Sequence, residues 1–266
     1  MNSQIKNNFI MVNFLERDKE AFWRDGFFIR RDLVQEKQCI ELREIAEQHL
    51  ANQLAPIEYE VDVQYPGSPM SRDAEGGKTP RRLLQAFSRH NKFRCWAQSQ
   101  ALVSILVKLF GSGDLSLSQC HHNCIMTKQP GYSSETRWHQ DNRYWSFDEE
   151  NLISVWLALG DEDSQNGCLR VIKGSHREEF DPQRFDDAQF LRTDLPANEK
   201  LVDQSIPLEL SVGDVLFFHS KLLHSAGRNL TRKSKLSLVF TYHERKNRPI
   251  LNSRSARFPD ITLESL

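Results

Sequence analysis

The second part of the chain consists of short β-rich runs separated by turn residues, and this pattern constrains the fold more than any other feature. The turn pair Gly213-Asp214 stands immediately before one of the apolar runs, as expected at the start of a strand. Runs punctuated in this way predict a β-sandwich or a barrel rather than an alternating βαβ sheet. The predicted strands are 117–128, 152–159, 168–172, 215–219 and 235–243.

The N-terminal part has helical periodicity instead. One predicted helix has an apolar face, because its apolar residues recur at helical spacing. A second predicted helix runs from Phe93 to Phe110, and Gly111 follows it as a C-cap would. A short strand is predicted over 27–31. The apolar face of the first helix consists of Leu42, Ile45, Ala46, Leu50 and Leu54.

Residues 64–80 lie between these two helices and are rich in turn-forming pairs of Pro, Gly and Ser. A loop of this length in a compact domain is either disordered or functional, for example as an active-site lid. The chain shows no internal repeat and no low-complexity segment. The sequence therefore predicts a single domain over 1–266, with a helix-rich layer (1–114) packed on a β-barrel core (115–245) and a C-terminal tail (246–266).

The composition of the chain limits the binding partners and the cellular compartment that can be expected for it. The chain has 35 basic and 36 acidic residues, so its net charge of −1 gives no global field that favours nucleic acid or an anionic membrane. No run approaches the roughly 18 apolar residues of a membrane span. Residues 1–8 lack the features of a signal peptide, and five irregularly spaced cysteines argue against a disulfide framework. We expect a cytoplasmic protein that acts on a small molecule, as a monomer or a homo-oligomer.

One arrangement of histidine and aspartate has the form of a metal site. His139 and Asp141 are separated by one residue, and side chains at i and i+2 of a strand point to the same side. His224 follows an apolar run 85 residues later (224 minus 139), which fits a partner strand across a barrel. Two imidazoles and one carboxylate form the facial triad of Fe(II) oxygenases. A His-x-Asp pair alone also fits a surface turn, and His219 competes with His224 for the third position.

Further motifs follow the His-x-Asp pair in a fixed order. They are 154–159 (SVWLAL), 166–169 (NGCL), 173–176 (KGSH), 213–219 (GDVLFFH) and 224–229 (HSAGRN). Together with 25–28 (DGFF) and Pro130-Gly131, they resemble the phytanoyl-CoA dioxygenase family over most of the chain. The resemblance implies a mainly β fold, the double-stranded β-helix or jelly-roll (cupin-like) barrel, with a helical N-terminal layer. It also implies the cofactor Fe(II) and the co-substrates 2-oxoglutarate and O2.

The resemblance implies that His139, Asp141 and His224 hold the iron and are the catalytic residues. The 2-oxoglutarate would chelate the metal through its 1-carboxylate and 2-oxo group. The carboxylate of Asp141 favours hydroxylation, because halogenating relatives have a small residue at this position. The predicted reaction hydroxylates an unactivated C–H bond of a small metabolite or natural-product intermediate, with succinate and CO2 as co-products. The alternatives are an acyl-CoA 2-hydroxylase and a silent barrel that binds a metal or ligand without turnover.

Co-substrate binding is expected from a second group of residues. Trp156 stands where the family has an aromatic residue against 2-oxoglutarate. Lys235 stands eleven residues after the distal histidine, where the family usually has an arginine for the far carboxylate. A lysine supplies the charge but not the two-pronged contact of an arginine. Arg232 is the fallback anchor.

The candidate substrate-binding residues are Lys128, Arg143, Tyr144 and Trp145, and Trp138 and Phe218 are candidates for an apolar wall. Cys120, His122 and Cys124 would share one face of a strand. Since no second Cys/His pair stands at structural-zinc spacing, we interpret them as pocket or core residues.

Overall fold

The computed structural model of the protein describes residues 16–263. Residues 1–8, on which the prediction about a signal peptide rests, lie outside this part. No helix within 16–263 has the length and the apolar character that crossing a membrane requires. The α-helices of the described residues are α1 (Glu16–Asp25), α2 (Glu36–Ala51), α3 (Glu60–Val63), α4 (Ala86–Arg89), α5 (Asn91–Ala97), α6 (Gln100–Phe110) and α7 (Pro196–Val202).

The strands of the same residues are β1 (Phe27–Arg30), β2 (Ile57–Tyr59), β3 (Pro80–Leu84), β4 (Leu115–Leu117), β5 (Asn123–Lys128), β6 (Thr136–His139), β7 (Leu152–Ala158), β8 (Leu169–Val171), β9 (Ile206–Pro207), β10 (Val215–His219), β11 (His224–Ala226), β12 (Lys235–Glu244) and β13 (Ile261–Thr262). They form two antiparallel sheets. The larger sheet has the order β1-β10-β7-β12-β5-β3-β2, with β4 paired to both β12 and β13, and the smaller one has the order β6-β11-β8-β9. The two sheets remain separate and do not close into a continuous barrel.

The larger sheet is buried on both faces, and strand β7 shows how. Along β7, Val155 and Leu157 pack into the apolar cluster that contains helices α1, α2, α5 and α6. The alternate residues Trp156 and Ala158 pack into a second cluster, together with Val171 of the smaller sheet. Because successive side chains of a strand point to opposite faces, a strand covered on both sides is apolar along its whole length. The helical layer therefore lies on one face of the large sheet and the small sheet on the other.

Most predicted strands agree with the structure. Strands β7, β8, β10 and β12 match the predicted runs to within one residue at each end. The run 117–128 is wrong as a single strand, because it contains the end of β4, a non-strand segment over 118–122, and β5. Strand β12 pairs with β5 over residues 235–240 and with β4 over residues 242–244, so residues 118–122 leave the sheet opposite Thr241.

The second predicted helix is also interrupted. It consists of α5 and α6, which meet at Ser99, whose hydroxyl accepts a hydrogen bond from the backbone N–H of Leu102 and so caps α6. Its predicted end is confirmed: Gly111 adopts a positive φ of 74° and donates its N–H to the carbonyl of Val107. The segment 64–79 contains turns but no helix or strand, as predicted.

Candidate active site

Three predicted residues come together at the edge of the small sheet. The possible ligand atoms of His139, Asp141 and His224 all lie within 4.8 Å of one another, and all three residues are buried. The secondary-structure elements that carry these residues differ from the predicted ones in two ways. Asp141 is not on the strand, since β6 ends at His139 and Asp141 begins a 3-10 helix over Asp141–Tyr144. His224 is not across a barrel either; it is the direct neighbour of His139 in the pairing of β11 with β6.

Backbone carbonyl groups orient both imidazoles. The Nδ1 of His139 lies 2.8 Å from the carbonyl oxygen of Arg137, and the Nδ1 of His224 lies 2.9 Å from that of Leu222. A hydrogen bond to a carbonyl requires the proton on Nδ1, which leaves the Nε2 lone pair free. The two Nε2 atoms lie 3.8 Å and 3.7 Å from Oδ1 of Asp141. Burial, aided by the neighbouring His224, holds the pKa of His139 well below its usual value.

This donor set fits a divalent iron ion. In a facial triad, two imidazole nitrogens and one carboxylate oxygen bind one face of the metal and leave the opposite face open. His139, His224 and Asp141 supply this set of donor atoms. A hydrogen bond from the second ring nitrogen to a carbonyl is the usual way in which proteins orient a metal-binding histidine. His139, Asp141 and His224 could therefore hold the metal, and this role stays a prediction.

A cavity of about 440 Å³ opens above these three residues. Its wall includes Tyr144, Trp145 and Phe218, as well as Trp156, so the cavity lies between the two sheets. A volume of this size is typical of sites for small molecules. The cavity thus offers both a place for a metal and room for a metabolite next to it.

Lys235 reaches this cavity as part of a buried charge network. Its Nζ donates to Oε2 of Glu162 over 2.8 Å, and it lies 4.9 Å from the centre of the Trp156 ring. The other oxygen of Glu162 accepts hydrogen bonds from Nε1 of Trp156 (2.9 Å) and from the hydroxyl group of Ser237 (2.7 Å). Glu162 is satisfied by three donors, whereas the ammonium group, which has three protons, keeps capacity for a ligand in the cavity.

A second buried lysine stands opposite the first. Lys128 is the cross-strand partner of Lys235 in the pairing of β5 with β12, and its Nζ donates to the carbonyl of Ser134 over 2.9 Å. Burial, with the nearby charges of Arg81 and Lys235, lowers the pKa of Lys128 to about 7. Lys128 lines the cavity and forms no ion pair with the carboxylates described in residues 16–263.

The sequence profile of the phytanoyl-CoA dioxygenase family matches residues 22–237. The chain belongs to the phytanoyl-CoA dioxygenase family. A rice protein of this family, phytanoyl-CoA dioxygenase 1, is 34% identical over 111 residues, which are 42% of this chain and 40% of the rice protein. The peroxisomal phytanoyl-CoA dioxygenase of the rat is 24% identical over 245 residues, or 86% of this chain and 69% of the rat protein. The segment matched in the rice protein thus spans about two fifths of that relative's length.

Solved structures have the same fold as this family member. The non-heme alpha ketoglutarate dependent carbocyclase SnoK from nogalamycin biosynthesis superposes with a TM-score of 0.73 at 16% identity, covering 95% of this chain and 97% of SnoK. EctD from S. alaskensis, crystallised with 2-oxoglutarate and 5-hydroxyectoine, gives a TM-score of 0.71 at 20% identity, covering 89% and 78% of the two chains. The likeness confirms the predicted jelly-roll type of fold.

One residue beside the cavity of this family member, Glu162, could not be expected from its motifs. Glu162 follows Asp161 and precedes Asp163, and a short acidic run of this kind normally indicates an exposed turn. His122 lines the cavity, which agrees with its interpretation as a pocket or core residue. Its predicted place on one strand with Cys120 and Cys124 is wrong, because β5 begins only at Asn123. His122 lies instead in the segment that leaves the sheet, and its Nε2 is 3.7 Å from Oδ1 of Asp141.

Four candidate residues lie outside the cavity wall. Trp138, predicted as part of the apolar wall, packs instead into a separate cluster with Leu191 and Leu223. Arg143 stacks on Phe190, with its guanidinium carbon 3.6 Å from the ring centre, and does not line the cavity. Arg232 is exposed and also absent from the wall. His219 is buried and accepts a hydrogen bond from the backbone N–H of Lys221 (3.0 Å), apart from the triad. Burial lowers the pKa of His219 to about 3.

Proposed function

We propose that this protein is an Fe(II)- and 2-oxoglutarate-dependent oxygenase that hydroxylates an unactivated C–H bond of a small metabolite or natural-product intermediate. The observation that carries the proposal is the buried group of His139, Asp141 and His224, which borders a metabolite-sized cavity. The bound iron would supply the oxidation, in which substrate, 2-oxoglutarate and O2 become alcohol, succinate and CO2. The names of the solved structures with this fold, which include alpha ketoglutarate dependent enzymes from nogalamycin biosynthesis, support the substrate class.

The chain's own residues would bind, orient and shield the reactants. His139 and His224 would present their Nε2 atoms to the iron, because the carbonyl groups of Arg137 and Leu222 hold the protons on Nδ1. Asp141 would add the third bond and reduce the charge of the ion. All three residues are buried, which would shield a bound metal from bulk water.

Lys235 would bind the far carboxylate of 2-oxoglutarate, and Trp156 would pack against the co-substrate. Glu162 would fix the ammonium group of Lys235 in place through their hydrogen bond. An arginine would reach this position with a two-pronged contact, whereas Lys235 needs its partner Glu162 to be oriented. Arg232 is a weaker candidate for this role because it lies outside the cavity wall.

The remaining roles follow from the cavity wall. Tyr144 and Trp145 would contact the substrate, and Lys128 would add a positive charge at the co-substrate end. Arg143 would act only indirectly, through its contact with Tyr144. We also propose that the helical layer and the sheets act as one domain, since one apolar cluster contains residues of both. The cytoplasm is the proposed location.

Formation of succinate tests the proposal. Purified protein is incubated with Fe(II), 2-oxoglutarate and O2, and succinate is quantified with and without a chelator. We expect slow succinate formation by the wild type even without substrate, and none by His139→Ala or in the presence of the chelator. Equal succinate formation by the wild type and His139→Ala would contradict the assignment. Binding of iron and 2-oxoglutarate without succinate would support the silent barrel.

The acyl-CoA 2-hydroxylase remains the second candidate, because the rice and rat relatives carry the name phytanoyl-CoA dioxygenase. The two candidates differ in what stimulates the reaction. An acyl-CoA that raises succinate formation, while the free acid does not, would favour the acyl-CoA hydroxylase.

A further inference from the structure

The wall of the cavity carries more positive than negative side chains. Six basic residues line it: Arg81, Arg82, Lys128, Lys235, Arg254 and Arg257. Only Glu58 and Asp141 line it with a negative charge. Since Asp141 belongs to the proposed iron site, one carboxylate of the wall remains for the six cations. The cavity is therefore electropositive along its wall, which favours an anionic ligand.

Three of these cations are matched by carboxylates. Arg82 forms two hydrogen bonds of 2.6 Å with Glu58. Arg81 lies 3.5 Å from Glu58 and 3.6 Å from Glu60, which stands behind the wall. Lys235 is paired with Glu162. Pairing of this kind leaves little net charge for a ligand. These three residues therefore do not account for the excess of positive charge in the cavity wall.

Arg254 and Arg257 are different, because neither forms an ion pair with a carboxylate described within residues 16–263. Both are exposed and both line the cavity, so they stand where it opens to solvent. Arg254 begins a 3-10 helix over Arg254–Ala256, and Arg257 follows directly. Lys128, the third cation without a carboxylate, is buried beside Lys235 at the co-substrate end.

The segment that carries the two arginines is fixed to the cavity. The hydroxyl group of Ser255, between them, accepts a hydrogen bond from the backbone N–H of Ser146 over 2.8 Å. The side chain of Gln119 donates to the carbonyl of Pro259 over 2.6 Å. An arginine on an anchored backbone loses less freedom on binding than one on a loose tail. The backbone that carries the two arginines at the mouth of the cavity is thus held in position before a ligand binds.

A continuous wall of rings leads from the iron site to this mouth. The Nε2 of His122 lies 3.7 Å from Asp141, and its ring is 5.6 Å from that of Trp145. The Trp145 ring is 4.9 Å from that of His121, whose Nε2 lies 2.7 Å from the Ser255 hydroxyl. A ligand with an apolar or planar body could lie along these rings and reach the metal at one end and the arginines at the other.

Resting on the function proposed above, we infer that the substrate carries an anionic group, a carboxylate or a phosphate, which Arg254 and Arg257 bind at the mouth of the cavity. The C–H bond to be oxidised would then lie at the other end of the molecule, near the triad. The arginines lie outside residues 22–237, the part that matches the family profile. The inferred contact would set the substrate specificity of this chain.

Three aromatic probes of similar size test the inference: 3-phenylpropionate, phenyl phosphate and the neutral 3-phenylpropanol. Their binding is measured by anaerobic equilibrium dialysis at low salt, on protein loaded with Fe(II) and saturated with 2-oxoglutarate so that the co-substrate site is filled. Arg254→Gln/Arg257→Gln is the test variant. Arg248→Gln is the matched control, because Arg248 is exposed on the same C-terminal part but absent from the cavity wall.

We expect wild type and Arg248→Gln to bind an anionic probe about 10-fold more tightly than the alcohol, and the double variant to lose this preference. Stronger binding of phenyl phosphate would assign a phosphate group, and stronger binding of phenylpropionate a carboxylate. Equal binding of all probes by the wild type, or a preference that survives in the double variant, would overturn the inference. The visible iron–2-oxoglutarate band, recorded first, separates the two proposals: its absence would contradict the proposed function itself, and its presence without a preference would overturn this inference alone.

Discussion

Two parts of the cavity wall, the proposed iron site (the iron end) and the proposed anchor for 2-oxoglutarate (the anchor end), are built in different ways. At the iron end, His139 and His224 lie on the neighbouring strands β6 and β11, Asp141 begins the 3-10 helix that follows β6, and backbone carbonyls orient the two rings. At the anchor end, Lys235 and Glu162 form a buried ion pair whose other contacts come from the side chains of Trp156 and Ser237. The geometry of the iron end therefore depends on the backbone, and that of the anchor end on a balance of buried charges. Substitutions should accordingly affect function at the first end and stability at the second.

The largest effect is expected from His224→Ala at the iron end. The variant should lose stoichiometric iron binding and all iron-dependent succinate formation, because even residues that only orient ligands contribute about 10–100-fold. Its far-ultraviolet circular dichroism should match that of the wild type, since the backbone pairing of β11 remains. His219→Asn, at a buried histidine apart from the triad, should still bind one iron per chain. Full iron occupancy in His224→Ala would contradict the account.

Glu162→Gln at the anchor end should instead unfold more easily. It leaves the ammonium group of Lys235 buried without a counter-charge, which costs about 3–5 kcal/mol. Urea unfolding followed by fluorescence measures the loss. The double variant Glu162→Gln/Lys235→Met should recover much of the stability, because it removes both charges together. If Glu162→Gln were as stable as the wild type, the ion pair of Glu162 and Lys235 would not contribute to the stability of the fold.

Lys235→Ala sharpens the comparison by testing function at the anchor end. The apparent KM for 2-oxoglutarate should rise about 10–100-fold, the value of one charge-assisted hydrogen bond, while kcat changes little. Lys235→Arg should retain most of the affinity, and Arg232→Ala should match the wild type. An unchanged KM in Lys235→Ala, together with a raised KM in Arg232→Ala, would move the anchor to Arg232.

The smallest expected effect is the contribution of Lys128 to the pH dependence of protein stability. Burial lowers the pKa of Lys128 to about 7 in the folded protein, while the unfolded chain takes up the proton at the usual, higher pKa. The unfolded state therefore binds more protons above pH 7, so this group makes the apo-protein more stable as the pH rises from about 7 towards 9. Lys128→Met should lack this contribution. Parallel stability curves for wild type and variant over this range would contradict it.

The fold was largely predictable from local patterns. Strand β7 is apolar along its length because helices cover one face and the small sheet the other, and such a run is visible in the sequence. The break at residues 118–122 was not visible, since it arises from the way β12 divides its pairing between β4 and β5. That break brings His122 to the iron end, so one residue of the site depended on pairing between distant segments.

The site was predictable where its residues belong to a motif. His139 and Asp141 are two positions apart and reach the same point even though Asp141 lies on a 3-10 helix rather than on the strand. Glu162 was not predictable, because its partner Lys235 is 73 residues away and nothing in its own neighbourhood distinguishes it from an exposed acidic turn. The motifs thus predicted the three residues of the iron end. The ion pair between Glu162 and Lys235 at the anchor end became visible only in the folded structure.

Anaerobic titration tests the central claim, that both ends act together on one iron and one 2-oxoglutarate. Fe(II) is added to the apo-protein under nitrogen, followed by 2-oxoglutarate, and the visible charge-transfer band of the chelate is recorded. We expect a band that requires both additions, saturates at about one iron per chain as a single facial triad allows, is absent in His224→Ala and needs more 2-oxoglutarate in Lys235→Ala. No band in the wild type at saturating iron and 2-oxoglutarate would contradict the account.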